Sequence, residues 1–190
     1  MHYRDVIVVN AAGTQESLFV QTAIRLGFNE LILLSADKQY VYKSIHSKLR
    51  VKTAYFLKTV NEIPIMRKKF DYLFAPATRE FFESDIDYIV GLESSKGHDS
   101  FHYRNTALNQ VHARLCRTHR IALCMDIGAL RYASRVEQQR LFGRMKQDAT
   151  IARKQKVDVY CYSFAQSPQE MIPPESLHAT GRILGLKTFK

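Results

Sequence analysis

The sequence predicts a single α/β domain whose parallel sheet closes in a barrel-like way. Three observations carry that expectation. Seven short β-branched or aromatic runs recur along the 190 residues, and helical patterns separate many of them. No Pro-, Gly- or Ser-rich linker interrupts the series, and this length suits one well-cored domain rather than two. Composition agrees: 46% hydrophobic and 24% charged residues, with eight glycines and five prolines, exclude collagen-like, linker-like and disordered chains. A barrel-like closure fits better than a doubly wound open sheet, because no strand pair presents a nucleotide switch point.

The first strand is the apolar run Val6-Ile7-Val8-Val9, the pattern of a strand buried on both faces. Gly13-Thr14 follows. Thr14, with Glu16 and Ser17, opens a helix through Leu18, Val20, Ala23 and Ile24, which Gly27 ends. Leu31 to Leu34 is the next strand. Residues 35–50 are polar, hold four basic side chains and Asp37, and read as an irregular excursion. Strands are then expected at 51–57, 71–75, 86–92, 121–125 and 157–163. Helices are expected at 77–83, 105–119, 134–155 and 174–184.

Cys116, Cys124 and Cys161 form no CxxC pair and lie on apolar stretches. They read as small buried hydrophobes in a reducing compartment. Val6 to Val9 is too short for the apolar region of a secretion signal, and no stretch approaches the roughly 18 apolar residues of a membrane span. A soluble, cytoplasmic protein with no membrane partner is expected.

Charge is the unusual property. The net charge is +10, and residues 100–156 alone hold twelve basic and three acidic residues, a net of +9. Solvated surfaces normally mix the two signs, so this segment points to a polyanion. Arginine outnumbers lysine nine to three there, and its planar fork favours bidentate phosphate contacts and stacking on bases. In the helix at 105–119, Asn105 is a suitable N-cap. Ala107, Leu108, Val111, Leu115 and Cys116 form its core stripe, and Arg114, Arg117 and Arg120 a neighbouring row. The helix at 134–155 turns Leu141, Met145, Ala149 and Ala152 inward and shows Arg140 and Arg144 at i,i+4, with Arg135 a turn earlier. Interleaved Asn, Gln, His and Tyr suit structured RNA, which is bound through phosphates, 2′-hydroxyls and stacking.

Catalytic signatures are absent: no GxSxG elbow, GxxxxGK[ST] loop or GxGxxG turn occurs. A metal-using barrel hydrolase places His-x-His after its first strand, whereas here Val9-Asn10-Ala11-Ala12 stands there. His98, Asp99 and His102 cluster on a Ser/Gly-rich loop, which reads as a solvated or RNA-contacting loop. Cys116 lies near His112 and His119 by helical spacing, but as a core residue and not as a nucleophile.

The run His102-Tyr103-Arg104-Asn105-Thr106-Ala107-Leu108-Asn109-Gln110-Val111 resembles the His-x-Arg-Asn-x-x-Leu-Asn-x-Val signature of ribonuclease P protein component 3. The resemblance continues through Ile121-Ala122-Leu123-Cys124-Met125, Arg144-Met145-Lys146-Gln147-Asp148, Lys156-Val157 and Ser163-Phe164-Ala165. It ends in Pro168-Gln169-Glu170-Met171, Pro174 and Gly181-Arg182-Ile183-Leu184-Gly185-Leu186, so it spans about 87 to 187. Two departures stand out: Ile172 replaces a residue often basic in the family, and Met125-Asp126-Ile127-Gly128 stands where small hydroxyl residues are usual.

The resemblance implies a single-domain TIM-barrel-like fold of the polymerase and histidinol phosphatase superfamily type, without its metal ligands. It also implies a protein subunit of ribonuclease P that stabilises the catalytic RNA for 5′-end maturation of precursor tRNA. Such a chain has no catalytic residue and binds no cofactor, Mg²⁺ being used by the RNA subunit. Its partners are the ribonuclease P RNA, protein component 2 in a heterotetramer, and other protein subunits. The residues expected to contact RNA are His102, Arg104 and Asn105, and, on charge alone, Arg114, Arg117, Arg120, Arg135, Arg140 and Arg144. For Asn109 a structural role in bracing the helix is expected. Two rival readings stay open: a metal-dependent phosphoesterase with a degenerate site, and a scaffold whose basic face docks an acidic protein.

Overall fold

Each of the seven apolar runs forms a strand: β1 (Arg4–Val8), β2 (Glu30–Ser35), β3 (Arg50–Phe56), β4 (Tyr72–Pro76), β5 (Tyr88–Val90), β6 (Ala122–Asp126) and β7 (Val159–Tyr162). The computed structural model describes residues 3–9, 16–42, 47–94, 97–100 and 103–186. All the pairings are parallel and the spatial order is β1 to β7 in sequence. Between them, on the outside, lie α1 (Glu16–Leu26), α2 (Ile63–Met66), α3 (Arg79–Phe82), α4 (Gln110–His119), α5 (Ala129–Tyr132) and α6 (Arg135–Gln155), and α7 (Pro174–Ile183) follows β7.

The sheet curls until its ends meet. A bridge pairs Ile7 with Ala165, and the Val8 N–H donates to the Ala165 carbonyl at 2.9 Å. Below that bridge the seam is closed by a side chain. Asp5 is fully buried; its Oδ1 accepts from the Ser163 N–H at 2.8 Å, and Ser163 Oγ donates to Oδ2 at 2.6 Å. Seven strands thus make a TIM-barrel-like cylinder in which Asp5 supplies acceptors where a regular ladder between β7 and β1 is missing.

Alternation sorts the side chains into two cores. Val6, Ile32, Ala54, Phe74, Cys124 and Tyr162 fill the barrel. Ile7, Leu31, Leu33, Leu73, Leu123 and Cys161 face the helices instead. At the N-terminal end of the barrel the Arg4 guanidinium sits 4.0 Å from the Tyr160 ring centroid and 5.8 Å from those of Tyr88 and Tyr162. The aromatic faces balance a cation that the apolar interior disfavours.

Three local expectations change. The helix expected from Asn105 begins at Gln110, with Asn109 as its N-cap, so residues 105–108 form a separate turn and Val111 is 62% exposed. The helix at 77–83 shrinks to one turn, α3. In the 35–50 excursion, residues 36–42 and 47–49 carry no helix or strand, and 43–46 lie outside the described residues. All three cysteines are buried and free, as expected; burial pushes the Cys116 and Cys161 thiols up to about 12. Among the described residues, no helix is long and apolar enough to cross a membrane.

Candidate nucleic-acid interface

The arginine-rich segment folds into α4 and α6, which pack against each other on the outer layer. Asn109 Oδ1 accepts the His112 N–H at 2.8 Å, satisfying one of the orphan donors of the first turn. The His112 ring donates from Nδ1 to the Ala107 carbonyl at 2.8 Å and stacks on Phe82 at 4.3 Å, fixing the entry to α4. Arg120 ends that helix in the left-handed region, with φ 59°. Ser134 and Glu137 form a capping box that starts α6, and Lys156 ends it at φ 57°.

Along α4, Arg114, Arg117 and Arg120 are exposed; along α6, Arg135, Arg140, Lys146, Arg153 and Lys154 are exposed. The three acidic residues of the segment do little to neutralise them. Asp126 is partly buried at the end of β6, Asp148 is buried, and Glu137 is occupied at the Ser134 cap. Arg117 Nη1 donates to the Gln155 carbonyl at 3.4 Å, tying the α4 row to the end of α6. Exposed cations on both packed helices therefore make the outer face of this helix pair basic.

Arg144 does not belong to that face. It is 2% exposed, and its guanidinium donates to Asp99 Oδ1 and to the carbonyls of Glu93 and Gly97, each at 2.9 Å. This corrects the expectation of an RNA contact, because a guanidinium with three protein partners in a dry site is a structural clasp on the loop between β5 and α4. The helical period holds the signal: Arg144, Met145, Asp148, Ala149 and Ala152 form one buried stripe, two charged residues included. Leu141, expected on it, is only partly buried, and Phe142 packs on the core instead.

Asp99 joins the clasp to the family-like run. Its Oδ1 also accepts the Asn105 N–H at 2.8 Å, and its Oδ2 pairs with Arg104 Nη1 at 3.2 Å. Burial works against its ionisation, but the Asn105 N–H, Arg144 and Arg104 outweigh burial and hold the carboxyl below its ordinary value. Asn105 thus braces a loop and does not cap a helix, a second correction. Gly97 suits the same loop, since its φ of +122° is one that a side chain strains, and an added Cβ would also have to displace the Asn105 amide, 2.3 Å away. Arg104, half-exposed, lies over Gly143 of α6, while the Gln147 side chain bonds its N–H at 3.0 Å and its carbonyl at 2.8 Å. His102 lies outside the described residues.

At the opposite pole of this chemistry is the C-terminal mouth of the barrel, where barrel enzymes carry their sites. Glu93 and Asp126 line a cavity there of about 300 Å³ with walls of mixed polarity. Burial, then the neighbouring Asp126, pushes Glu93 up to about 7, and burial pushes Asp126 up to about 6. Sequence reasoning passed over Glu93, which no motif marks. Among the described residues no group of three or more His, Cys, Asp or Glu is placed to hold a metal ion.

No family model matches the chain, and no curated protein does. Among solved structures the fold is similar to a chain in the cryo-EM structure of an archaeal ribonuclease P with mature tRNA. That likeness has a TM-score of 0.75 at 16% identity and covers 95% of this chain and 82% of that one. A prolidase complexed with N-methylphosphonate-L-proline is similar at TM-score 0.53 and 8% identity, over 97% of this chain and 70% of that one. At such identities the likeness is one of fold.

Proposed function

We propose that this chain is a noncatalytic protein subunit of a ribonuclease P, where it binds and stabilises the catalytic RNA that matures precursor-tRNA 5′ ends. The observation that carries this reading is the cationic α4–α6 face, borne on a barrel similar at TM-score 0.75 to a chain of an archaeal ribonuclease P. Arg114, Arg117, Arg120, Arg135 and Arg140 each bring a fork that two phosphate oxygens fill, with release of condensed counterions. Lower phosphate repulsion lets RNA helices pack and Mg²⁺ sites form at lower metal concentration. Hydrolysis itself belongs to the RNA subunit and its Mg²⁺, with protein component 2 as this chain's partner in a heterotetramer.

Reconstitution tests the proposal. Precursor-tRNA cleavage by the cognate RNA is measured against Mg²⁺ concentration, with and without this chain and component 2. The pair is expected to lower the Mg²⁺ requirement severalfold. If the pair gives no help, and this chain alone cleaves a phosphoester in a chelator-sensitive way, the barrel is an enzyme and the proposal is wrong.

A further inference from the structure

In a chain of net charge +10, the barrel mouth is an acidic spot. Glu93 follows β5 and lines the cavity, yet it is 1% exposed and its Oε2 has no hydrogen-bond partner. A buried carboxylate oxygen left without a donor is costly, and native structures seldom keep one without a use. Beside it on the same cavity stands Asp126, whose Oδ1 is held by the Ala129 N–H at 2.9 Å. Gly128 keeps this corner tight: a Cβ there would lie 2.1 Å from the Ser163 carbonyl oxygen. Val8, Phe56, Val90 and Phe164 give the cavity an apolar stretch of wall, and Ser35, Ser94 and Gln166 line it as well.

We propose that this mouth binds a small organic amine, its ammonium group donating to Glu93 Oε2 and the Asp126 carboxylate while its carbon chain lies on the apolar wall. Three features select that ligand. A cavity of about 300 Å³ holds a small molecule and not a macromolecular segment. Among the described residues no third His, Cys, Asp or Glu joins the two carboxylates, so the charged ligand set that Ca²⁺ favours is incomplete. A hydrated Mg²⁺ gains nothing from the aromatic and aliphatic wall, whereas a carbon chain does. The proposal rests on the barrel mouth alone and stands apart from RNA binding.

Proton linkage gives the binding a signature. Asp126 from β6, Asp148 from α6 and the thiols of Cys124 and Cys161 lie near Glu93, Arg144 donates to its backbone carbonyl, and Arg131 and Glu170 line a second hollow with Asp126. With no cation present, burial keeps Glu93 and Asp126 protonated into the range of about 6 to 7. An arriving ammonium favours their charged forms, so its binding near pH 6.5 releases protons.

The test is calorimetric titration of the whole chain with 1,4-diaminobutane, at pH 6.5 and pH 8, in two buffers of different ionisation enthalpy. Expected are saturable one-to-one binding, net proton release at pH 6.5, and tighter binding at pH 8. Glu93→Gln is expected to weaken binding at least tenfold, and Asp126→Asn, which keeps the oxygen that Ala129 uses, to weaken it as well. Glu83→Gln, an exposed carboxylate on the outside, leaves it unchanged. Absence of saturation at pH 8, equal binding by Glu93→Gln, or displacement of the diamine by an equal concentration of Mg²⁺ overturns the proposal.

Discussion

The outer face of α4 and α6 and the buried interior of the protein treat charge in opposite ways. Outside, Arg114, Arg120, Arg135 and Arg140 reach into water, where a cation costs nothing and is free to meet phosphate. Inside, Arg4, Asp5, Glu93, Asp148 and Arg144 are buried or caged, and each either finds partners or shifts its protonation. Arg140 and Arg144 show the difference over a single helical turn. Both are arginines on α6, but one is solvated and the other is spent on Asp99 and two carbonyls. Residue type sets what a side chain can bind, and burial sets whether it binds the protein or something else.

The sharpest way to break that comparison is to truncate both arginines. Arg144→Ala takes one of three partners from the partly buried Asp99 and leaves the Glu93 and Gly97 carbonyls without its donors, so a loss of about 2–3 kcal/mol is expected in urea unfolding. Arg144→Lys does not restore it, because a single ammonium cannot reach three partners with the geometry of the guanidinium. Arg140→Ala is expected to stay within about 0.5 kcal/mol of the parent. Equal stability of the two alanine variants would show that the clasp contributes nothing.

The interior carboxyls predict the pH response. Burial pushes Asp5 and Glu93 up to about 7, Asp126 to about 6 and Asp148 to about 8, with neighbouring carboxylates adding to the shift at Asp5, Glu93 and Asp148. Unfolded, these groups titrate near about 4. Their folded pKa values are raised, so the stability they contribute is fully present below about pH 4 and is lost as pH rises through about 6 to 8. Asp71, Asp99 and Glu62 act in the other direction: despite partial burial, their cationic and N–H partners hold them low, and their contribution is lost in acid. The urea midpoint is therefore expected to peak on the acid side, near pH 5, and to fall toward pH 8. Asp5→Asn, which keeps an acceptor for the Ser163 N–H, reduces the slope of that fall. A midpoint rising steadily from pH 5 to 8 contradicts the assignment.

The smallest effect on stability belongs to the outer face. The triple variant Arg114→Ala, Arg117→Ala, Arg120→Ala is expected to unfold within about 1 kcal/mol of the parent. It loses RNA affinity uniformly across sequences, and the log–log salt dependence flattens by about 1 for each phosphate contact removed. An unchanged salt slope would move the RNA interface to α6 or off this face.

The one-dimensional pattern was sufficient wherever a local rule decides the outcome. Seven apolar runs became seven strands in sequence order, because each run has its own period and its own turn signals. The concentration of arginine in 100–156, the burial of three cysteines and the bracing role of Asn109 were legible for the same reason. Tertiary structure decided the rest. Asn105 serves a loop and not a helix end because Asp99, six residues earlier, takes its N–H once Arg144 has fixed that carboxylate. Arg144 is buried because a loop 45 residues upstream offers an acceptor to its guanidinium. Asp5 closes the barrel against a serine 158 residues away, and Glu93 meets Asp126 only because β5 and β6 end side by side. These are contacts between distant segments, and no periodicity or local propensity encodes where a buried charge will find its partner.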